Sequence, residues 1–327
     1  MKQIIMILIV LSVGLTAFGQ SRREVMRERV DSVLRKNYEK GSYDTLYMKR
    51  PDSKLTLKLR ANLSGYYQHS TFTENGIHYN AKVNTDTRGT LSAAATYYGV
   101  TAGLALNPAR LAGKNKDMEF NLNAYGNRFG VEASYQDSKT LSGDIDYNNG
   151  SLHINRGDVA LTLVTITGYY AFNHRRFSYP AAFTQSYIQK RSAGSWLLGA
   201  TYQGGRIKAT DDAPAQMSQS RTTMNTFAIG GGYGYNLVAG KWLFHASAQP
   251  SLIIINDIDI KENGVSRDGK TYFPELITNT RAAIVYNFSQ KYFAGSTFLF
   301  NTTLLGDNDD YTRQTKWRVR AFFGLRL

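Results

Sequence analysis

The sequence predicts an all-β chain, a transmembrane, antiparallel up-and-down β-barrel of about twelve strands preceded by a short helix. Three observations predict it. Apolar and polar residues alternate with a period of two through most of the chain after Lys54, which places apolar side chains on one sheet face and polar ones on the other. Very short connections alternate with long polar ones, as tight turns at one barrel rim and loops at the other require. The N-terminus reads as an export signal, and no later apolar run is long enough for a membrane helix.

Residues 1–19 form that signal peptide. Lys2 precedes an apolar stretch from Ile4 to Phe18, and Ala17 and Gly19 supply the small residues of a cleavage site after Gly19. Ser12, Gly14 and Thr16 interrupt the stretch, which is short for a span of about 20 residues. Later runs such as Leu252 to Ile255 are shorter still, so a mature chain that crosses a membrane must do so as a closed barrel. Export of a chain without cysteine suits a bacterial envelope.

Residues 20–53 form a periplasmic leader. Arg22, Arg23, Arg27, Arg29, Arg35, Lys36 and Lys40 are basic, and Met26, Val30, Val33 and Leu34 recur at helical spacing, which predicts an amphipathic helix ended before Pro51 and Asp52. Two roles stay open for it: attraction to anionic lipid or a periplasmic partner, and a solvated leader packed under the barrel.

The barrel itself is expected over 54–327. Leu55, Leu57, Leu59, Ala61 and Leu63 alternate with Thr56, Lys58, Arg60, Asn62 and Ser64. The last strand repeats this, with Trp317, Val319, Ala321, Phe323, Leu325 and Leu327 opposite Lys316, Arg318, Arg320 and Arg326. Strands are expected near 54–70, 76–98, 100–107, 117–126, 129–137, 158–174, 192–209, 222–237, 241–256, 274–289, 291–306 and 312–327. The second is either one strand or, given the interruption from Asn84 to Gly89, an additional pair. Tight turns at Tyr98-Gly99, Gly126-Asn127, Val238 to Gly240 and Ser289 to Lys291 mark one rim; polar stretches such as Asp137 to Gly157 and Asp257 to Phe273 mark the other. Both barrel ends then lie at the short-turn rim. Tyr97, Tyr98, Tyr125, Trp242, Tyr292 and Phe293 sit near strand ends, where an interfacial girdle is expected. A soluble sandwich would also alternate, but it explains neither the export segment nor a final strand that reaches Leu327.

Three segments carry a resemblance. Tyr43-Asp44-Thr45-Leu46-Tyr47, Phe172-Asn173-His174-Arg175-Arg176-Phe177-Ser178-Tyr179-Pro180-Ala181-Ala182-Phe183 and Gln189-Lys190-Arg191-Ser192-Ala193-Gly194-Ser195 resemble an uncharacterised outer-membrane β-barrel family of Bacteroidota, catalogued as a domain of unknown function. The resemblance covers the chain from about Tyr43 onward. It implies a barrel and an outer-membrane location, and no activity. The C-terminus resembles the signal read by barrel-assembly machinery, with Leu327 in place of the usual terminal aromatic.

Candidates for chemistry are few. Without cysteine there are no thiolate metal sites or cysteine nucleophiles, and the five histidines stand apart in sequence, so neither metal nor cofactor is expected. Gly230-Gly231-Gly232-Tyr233-Gly234 lies inside a strand and reads as relief of curvature and crowding, not as a nucleotide loop. Asp307, Asn308, Asp309 and Asp310 read as a solvated turn, and Arg156-Gly157-Asp158 as a chance triplet. No Gly-x-Ser-x-Gly elbow occurs, and no serine–histidine set like that of outer-membrane phospholipases is read. His245 is expected to face inward with Ser247 and Gln249 as a satisfied lumen histidine.

Inward charge is the most informative feature. Lys58, Arg60, Lys316, Arg318, Arg320 and Arg326 fall on the polar faces of the first and last strands, neighbours once the barrel closes, and form a cationic wall. Glu119, Glu132 and Glu275 are the inward carboxylates, with Arg281 beside them. The wall either guides anions or fills a narrow lumen through arginine–glutamate networks. The stretch from Asn173 to Arg191 lies on the short-turn side yet is far longer than a turn. Phe177, Tyr179, Pro180, Phe183 and Arg191 are expected to fold up as a partial plug, with Arg175, Arg176, Lys190 and Arg191 pairing to Glu119 and Glu132; a long turn below the rim is the alternative. The expected function is non-catalytic: a structural barrel, or a narrow, partly plugged permeation protein that favours anions. The alternatives are an enzyme acting on lipid or lipopolysaccharide, and a surface-binding protein using its long loops. Expected partners are outer-membrane lipid and lipopolysaccharide, barrel-assembly machinery and a small anionic solute, and no nucleic acid.

Overall fold

The structure, a computed structural model, describes residues 20–39, 42–53, 55–74, 76–98, 100–108, 113, 117–148, 150–217, 219–307 and 309–327. The expected signal peptide lies outside them. A helix α1 (Gln20–Glu39) and a two-residue strand β1 (Met48–Lys49) precede the sheet. Its first half comprises β2 (Leu55–Glu74), β3 (Ile77–Asn84), β4 (Arg88–Tyr97), β5 (Val100–Leu106), β6 (Met118–Tyr125), β7 (Phe129–Ser138), β8 (Ser142–Tyr147), β9 (Gly150–Ile154) and β10 (Val159–Ala171). A one-turn helix α2 (Tyr179–Phe183) and β11 (Ile188–Gln189) follow. The second half comprises β12 (Ala193–Ala209), β13 (Arg221–Ala239), β14 (Trp242–Glu262), β15 (Val265–Asp268), β16 (Leu276–Asn287), β17 (Tyr292–Gly306) and β18 (Tyr311–Arg326).

Among the described residues, twelve strands build the wall. Antiparallel pairing runs β5-β4-β2-β18-β17-β16-β14-β13-β12-β10-β7-β6, and β5 returns beside β6. The barrel is therefore up-and-down, and its first and last strands are neighbours, with Leu57 opposite Leu325 and Ser64 opposite Arg318. Alternation fixes the faces. Leu59, Phe120 and Trp196 point outward and are 67%, 63% and 68% exposed, while Thr56, Lys58 and Ser64 point inward and are buried. A continuous apolar outer face of this kind needs an apolar environment, and no helix of the described residues is long and apolar enough to cross a membrane.

Three expectations change. The stretch 76–98 is two strands, not one. At 20 residues β2 outruns its neighbour, so β4 pairs with its lower half and β3 with its upper half. The break is pinned by Thr85 N–H donating to Tyr66 O at 3.0 Å and by Asp86 N–H donating to Thr140 Oγ1 at 3.2 Å. Above it β3 leaves the wall to pair with β8, which pairs with β9; the loop expected over 137–157 is thus largely a hairpin that extends the outer rim. The loop expected over 257–273 is likewise occupied by the end of β14 and by β15. Finally, only part of the expected girdle faces out. Tyr97, Trp242 and Tyr292 are exposed, but Tyr98 and Phe293 are buried and Tyr125 points inward to Glu132. Adjacent residues of a strand take opposite faces, so Tyr292 and Phe293 cannot both meet lipid, and Tyr98 follows the end of β4 in a turn with a positive φ of 44°.

Candidate functional site

The short-turn end of the lumen is filled by the chain itself. After Ala171 the backbone turns inward: Arg176 and Phe177 N–H groups donate to Asn173 O, and Asn173 N–H donates to Ser195 Oγ. Ser178 caps α2, its Oγ accepting from Ala181 N–H at 3.2 Å, and Pro180 suits the first turn, where no N–H is required. Phe177, Tyr179 and Phe183 are then buried against Tyr169, Leu197, Leu243, Val285, Phe293 and Phe322. Gly234 makes the fit possible, because a Cβ there would stand 3.0 Å from the Phe177 ring.

The leader straps this inner segment from below. Met48 pairs with Gln189 and Lys49 with Ile188. Asp44 N–H donates to Arg175 O at 2.8 Å, and the Asp44 carboxylate takes Arg176 at 3.3 Å. Lys190 Nζ reaches Thr45 O at 2.8 Å, and Arg50 donates to Tyr187 Oη at 2.8 Å. The three sequence segments that carry the resemblance are thus in contact at one rim. Asp31 of α1 accepts from Tyr97 Oη at the same rim.

The expected cation pairing is different. Arg176 and Lys190 bind the leader rather than Glu119 and Glu132, because they leave the turn on its outer side. Arg191 is exposed at the rim and is not part of the buried set formed by Phe177, Tyr179, Pro180 and Phe183.

Against the inner segment lies a hydrogen-bonded chain that holds the expected inward pair His245 and Ser247 and adds Asn236 and Tyr179, which the sequence reading did not include. Asn236 Nδ2 donates to Ser178 O and Gln189 Oε1, which leaves Asn236 Oδ1 to accept from His245 Nδ1 at 2.7 Å. The other ring nitrogen then faces Ser247 Oγ at 3.0 Å, and Ser247 Oγ accepts from Tyr179 Oη at 2.9 Å. The order serine, histidine, asparagine is that of a nucleophile, its base and an orienting group. All of it is buried under Tyr179. The signal was available: the His245-Ala246-Ser247 spacing keeps both side chains inward, and the hairpin about Gly240 pairs Asn236 with His245.

One level higher, a charged belt crosses the lumen. Arg318 meets Glu119 at 2.9 Å and Glu132 at 3.6 Å. Arg281 meets Glu132 at 3.2 Å, and Arg88 meets Glu119 at 3.7 Å. Ser64 Oγ and Tyr125 Oη donate to Glu119 and Glu132 at 2.7 and 2.9 Å, and Lys316 Nζ donates to Ser134 Oγ at 3.1 Å. Beside Lys316 and Arg318 a cavity of about 10 Å³ remains, room for about one water. Above the belt Gln203 of β12 reaches Gln314 of β18 at 3.2 Å, and Asn279 reaches Thr201 at 3.0 Å.

The cationic wall is therefore divided. Lys316 and Arg318 belong to the belt. Arg326 sits at the rim over the Phe293 ring, donating to Gln290 O and Asn287 Oδ1. Lys58 Nζ holds Thr184 O at 2.6 Å and Gln185 Oε1 at 3.2 Å in the inner segment. Arg320 donates to Asn62 Oδ1 at 2.6 Å, and no described residue pairs with Arg60. Glu275 is buried apart from Arg281, near the outer loops, accepting from Asn256 Nδ2 at 2.6 Å and Gly306 N–H at 3.0 Å. Among the described residues no three histidine, aspartate or glutamate side chains converge as metal ligands would.

The family described as a domain of unknown function (DUF4421) matches residues 42–326. No curated protein matches. Among solved structures the chain is similar to the outer membrane protease OmpT from Escherichia coli, at 8% identity and a TM-score of 0.42, covering 85% of this chain and 97% of that one. It is similar to the outer membrane protein OprG from Pseudomonas aeruginosa, at 12% identity and a TM-score of 0.29 (84% and 96% covered). It is similar also to the P. putida toluene transporter TodX, at 8% identity and a TM-score of 0.25 (85% and 91% covered).

Proposed function

Taking as premise that the chain belongs to the DUF4421 family, a domain of unknown function, we propose that it is a non-catalytic barrel of the bacterial outer membrane whose resting lumen is closed by its own plug and, when opened, favours anions. The observation that carries this reading is the lumen: the segment from Asn173 to Gln189 fills one end, and above it inward cations outnumber the carboxylates Glu119 and Glu132. The apolar outer face supports the membrane location, and the leader strap gives the plug a handle on the periplasmic side. A lumen with excess fixed positive charge concentrates anions and repels cations.

Proteoliposome swelling tests it. Intact protein should admit small solutes slowly. A Tyr179→Gly/Phe183→Gly variant, checked for heat-modifiable folding, should admit gluconate faster than an equally sized cationic solute. Equal rates for both solutes in the opened variant would remove the anion preference.

A second reading has one observation in its favour. Ser247, His245 and Asn236 have the order of an acyl-transfer relay, which would act on lipid esters once Tyr179 withdrew. A fluorophosphonate probe decides it: labelling at Ser247 in the opened variant supports the relay, and its absence there assigns the chain to anchoring the plug.

A further inference from the structure

Between plug and belt, three cations face the lumen with no carboxylate of their own. Lys58 and Arg60 are successive inward residues of β2, and Arg320 lies on β18 opposite Asn62. The carboxylates at the next level are taken, since Glu119 is shared by Arg88 and Arg318 and Glu132 by Arg281 and Arg318. Arg60 makes no hydrogen bond or ion pair with any described residue, and Arg320 has only the Asn62 amide. A guanidinium drawn away from bulk water is costly unless a counter-charge meets it.

Solvent reaches this part of the lumen. Arg60, Asn62, Ser92, Asn123 and Arg320 are all half-buried, whereas Lys58 below and Ser64 above are buried. Ser92 stands directly opposite Arg60 on β4, so a small side chain leaves space where the cation points.

We infer that this hollow is a binding site for a small multivalent oxyanion of the phosphate class, gripped by the Arg60 and Arg320 forks with Lys58 beneath. Planar guanidinium groups match the paired oxygens of a phosphate. Lys58 joins the site to the plug, because its Nζ holds the Thr184 carbonyl. The inference rests on the anion-favouring reading and names its ligand.

Calorimetric titration of inorganic phosphate into the full-length, detergent-held protein at fixed ionic strength tests it, with phosphatidylglycerol-doped micelles as a second arm for a lipid-borne phosphate. Saturable phosphate binding is expected, weakened about ten-fold or more by Arg60→Gln or Arg320→Gln and unchanged by Arg313→Gln, which lies outside the hollow. Binding only in the lipid arm, with the same dependence on Arg60, makes a head group the ligand. If a glutamine variant fails to fold, Arg60→Lys keeps the charge but loses the fork, and should still weaken binding. No saturable binding in either arm, or equal affinity in the wild type and the Arg60 and Arg320 variants, overturns the site. Phosphate binding without anion-favouring flux would leave the site standing and sink the permeation reading; flux without binding would do the reverse.

Discussion

Arg281 on β16 and Glu132 on β7 meet at 3.2 Å across the lumen, although four wall strands separate β16 from β7 by the shorter way round. The ion pair ties opposite walls of the barrel together at that level. Glu132 also serves Arg318, so Glu132→Gln strands the buried Arg281 guanidinium and leaves Arg318 with Glu119 alone. Loss of one partner of a buried pair costs about 3–5 kcal/mol, and the variant should lose heat-resistant mobility on gels at a clearly lower temperature. A joint Arg281→Met/Glu132→Leu replacement removes both charges of the pair and should recover much of that loss.

The plug should be held mainly by packing. Tyr179 is fully buried and touches the rings of Tyr169, Phe177, Phe183 and His245. Tyr179→Ala is expected to cost about 3–5 kcal/mol. Tyr179→Phe, which loses only the bond to Ser247, should cost about 1 kcal/mol. Denaturant midpoints of the two variants check the order, and equal costs would mean that the hydroxyl, not the ring, anchors the segment.

Strand alternation was legible and distant pairing was not. The period of two puts Lys58, Arg60, Glu119 and Glu132 on the polar face of their strands, because parity is a local property. That Glu119 meets Arg318, 199 positions away, depends on how the wall curls. The reading of the inner segment as a plug comes from its length, from Pro180 and from the four aromatic residues Phe177, Tyr179, Phe183 and Tyr187 where a turn should be. Its cations were misassigned because nothing local shows that Asp44 and Thr45 of the leader come to meet Arg176 and Lys190. The girdle was overcounted for want of parity, and β3 left the wall because β2 is longer than a neighbour can follow.

Outer-loop order should depend on pH through Asp310. Its carboxylate accepts from Thr73 N–H at 2.9 Å, Lys270 Nζ at 3.2 Å and Tyr272 Oη at 3.1 Å. The Thr73 N–H first, then Lys270 and Tyr272, hold its pKa below the ordinary aspartate range. A lowered folded pKa stabilises above the unfolded value and is lost as pH falls through the folded one. The clasp should therefore persist at neutral and mildly acidic pH and open only below about pH 4. Protection of the Thr73 amide, relative to its intrinsic exchange at each pH, reports it, and Asp310→Asn should make that protection insensitive to pH in this window.

The outer face can be read through tryptophan. Trp196 and Trp242 are exposed near the short-turn rim. Brominated acyl chains should quench most of the fluorescence of the reconstituted protein, and Trp196→Phe should lower the quenched fraction. Strong quenching by aqueous iodide instead would place this face in water.

Single-channel recording across a salt gradient tests the central claim most directly. Wild-type protein in a planar bilayer should show no steady current, and folded Tyr179→Gly/Phe183→Gly protein should open a small conductance whose reversal potential favours the anion. A wide steady current from the wild type, or a cation preference in the opened variant, would contradict a plugged, cation-lined lumen.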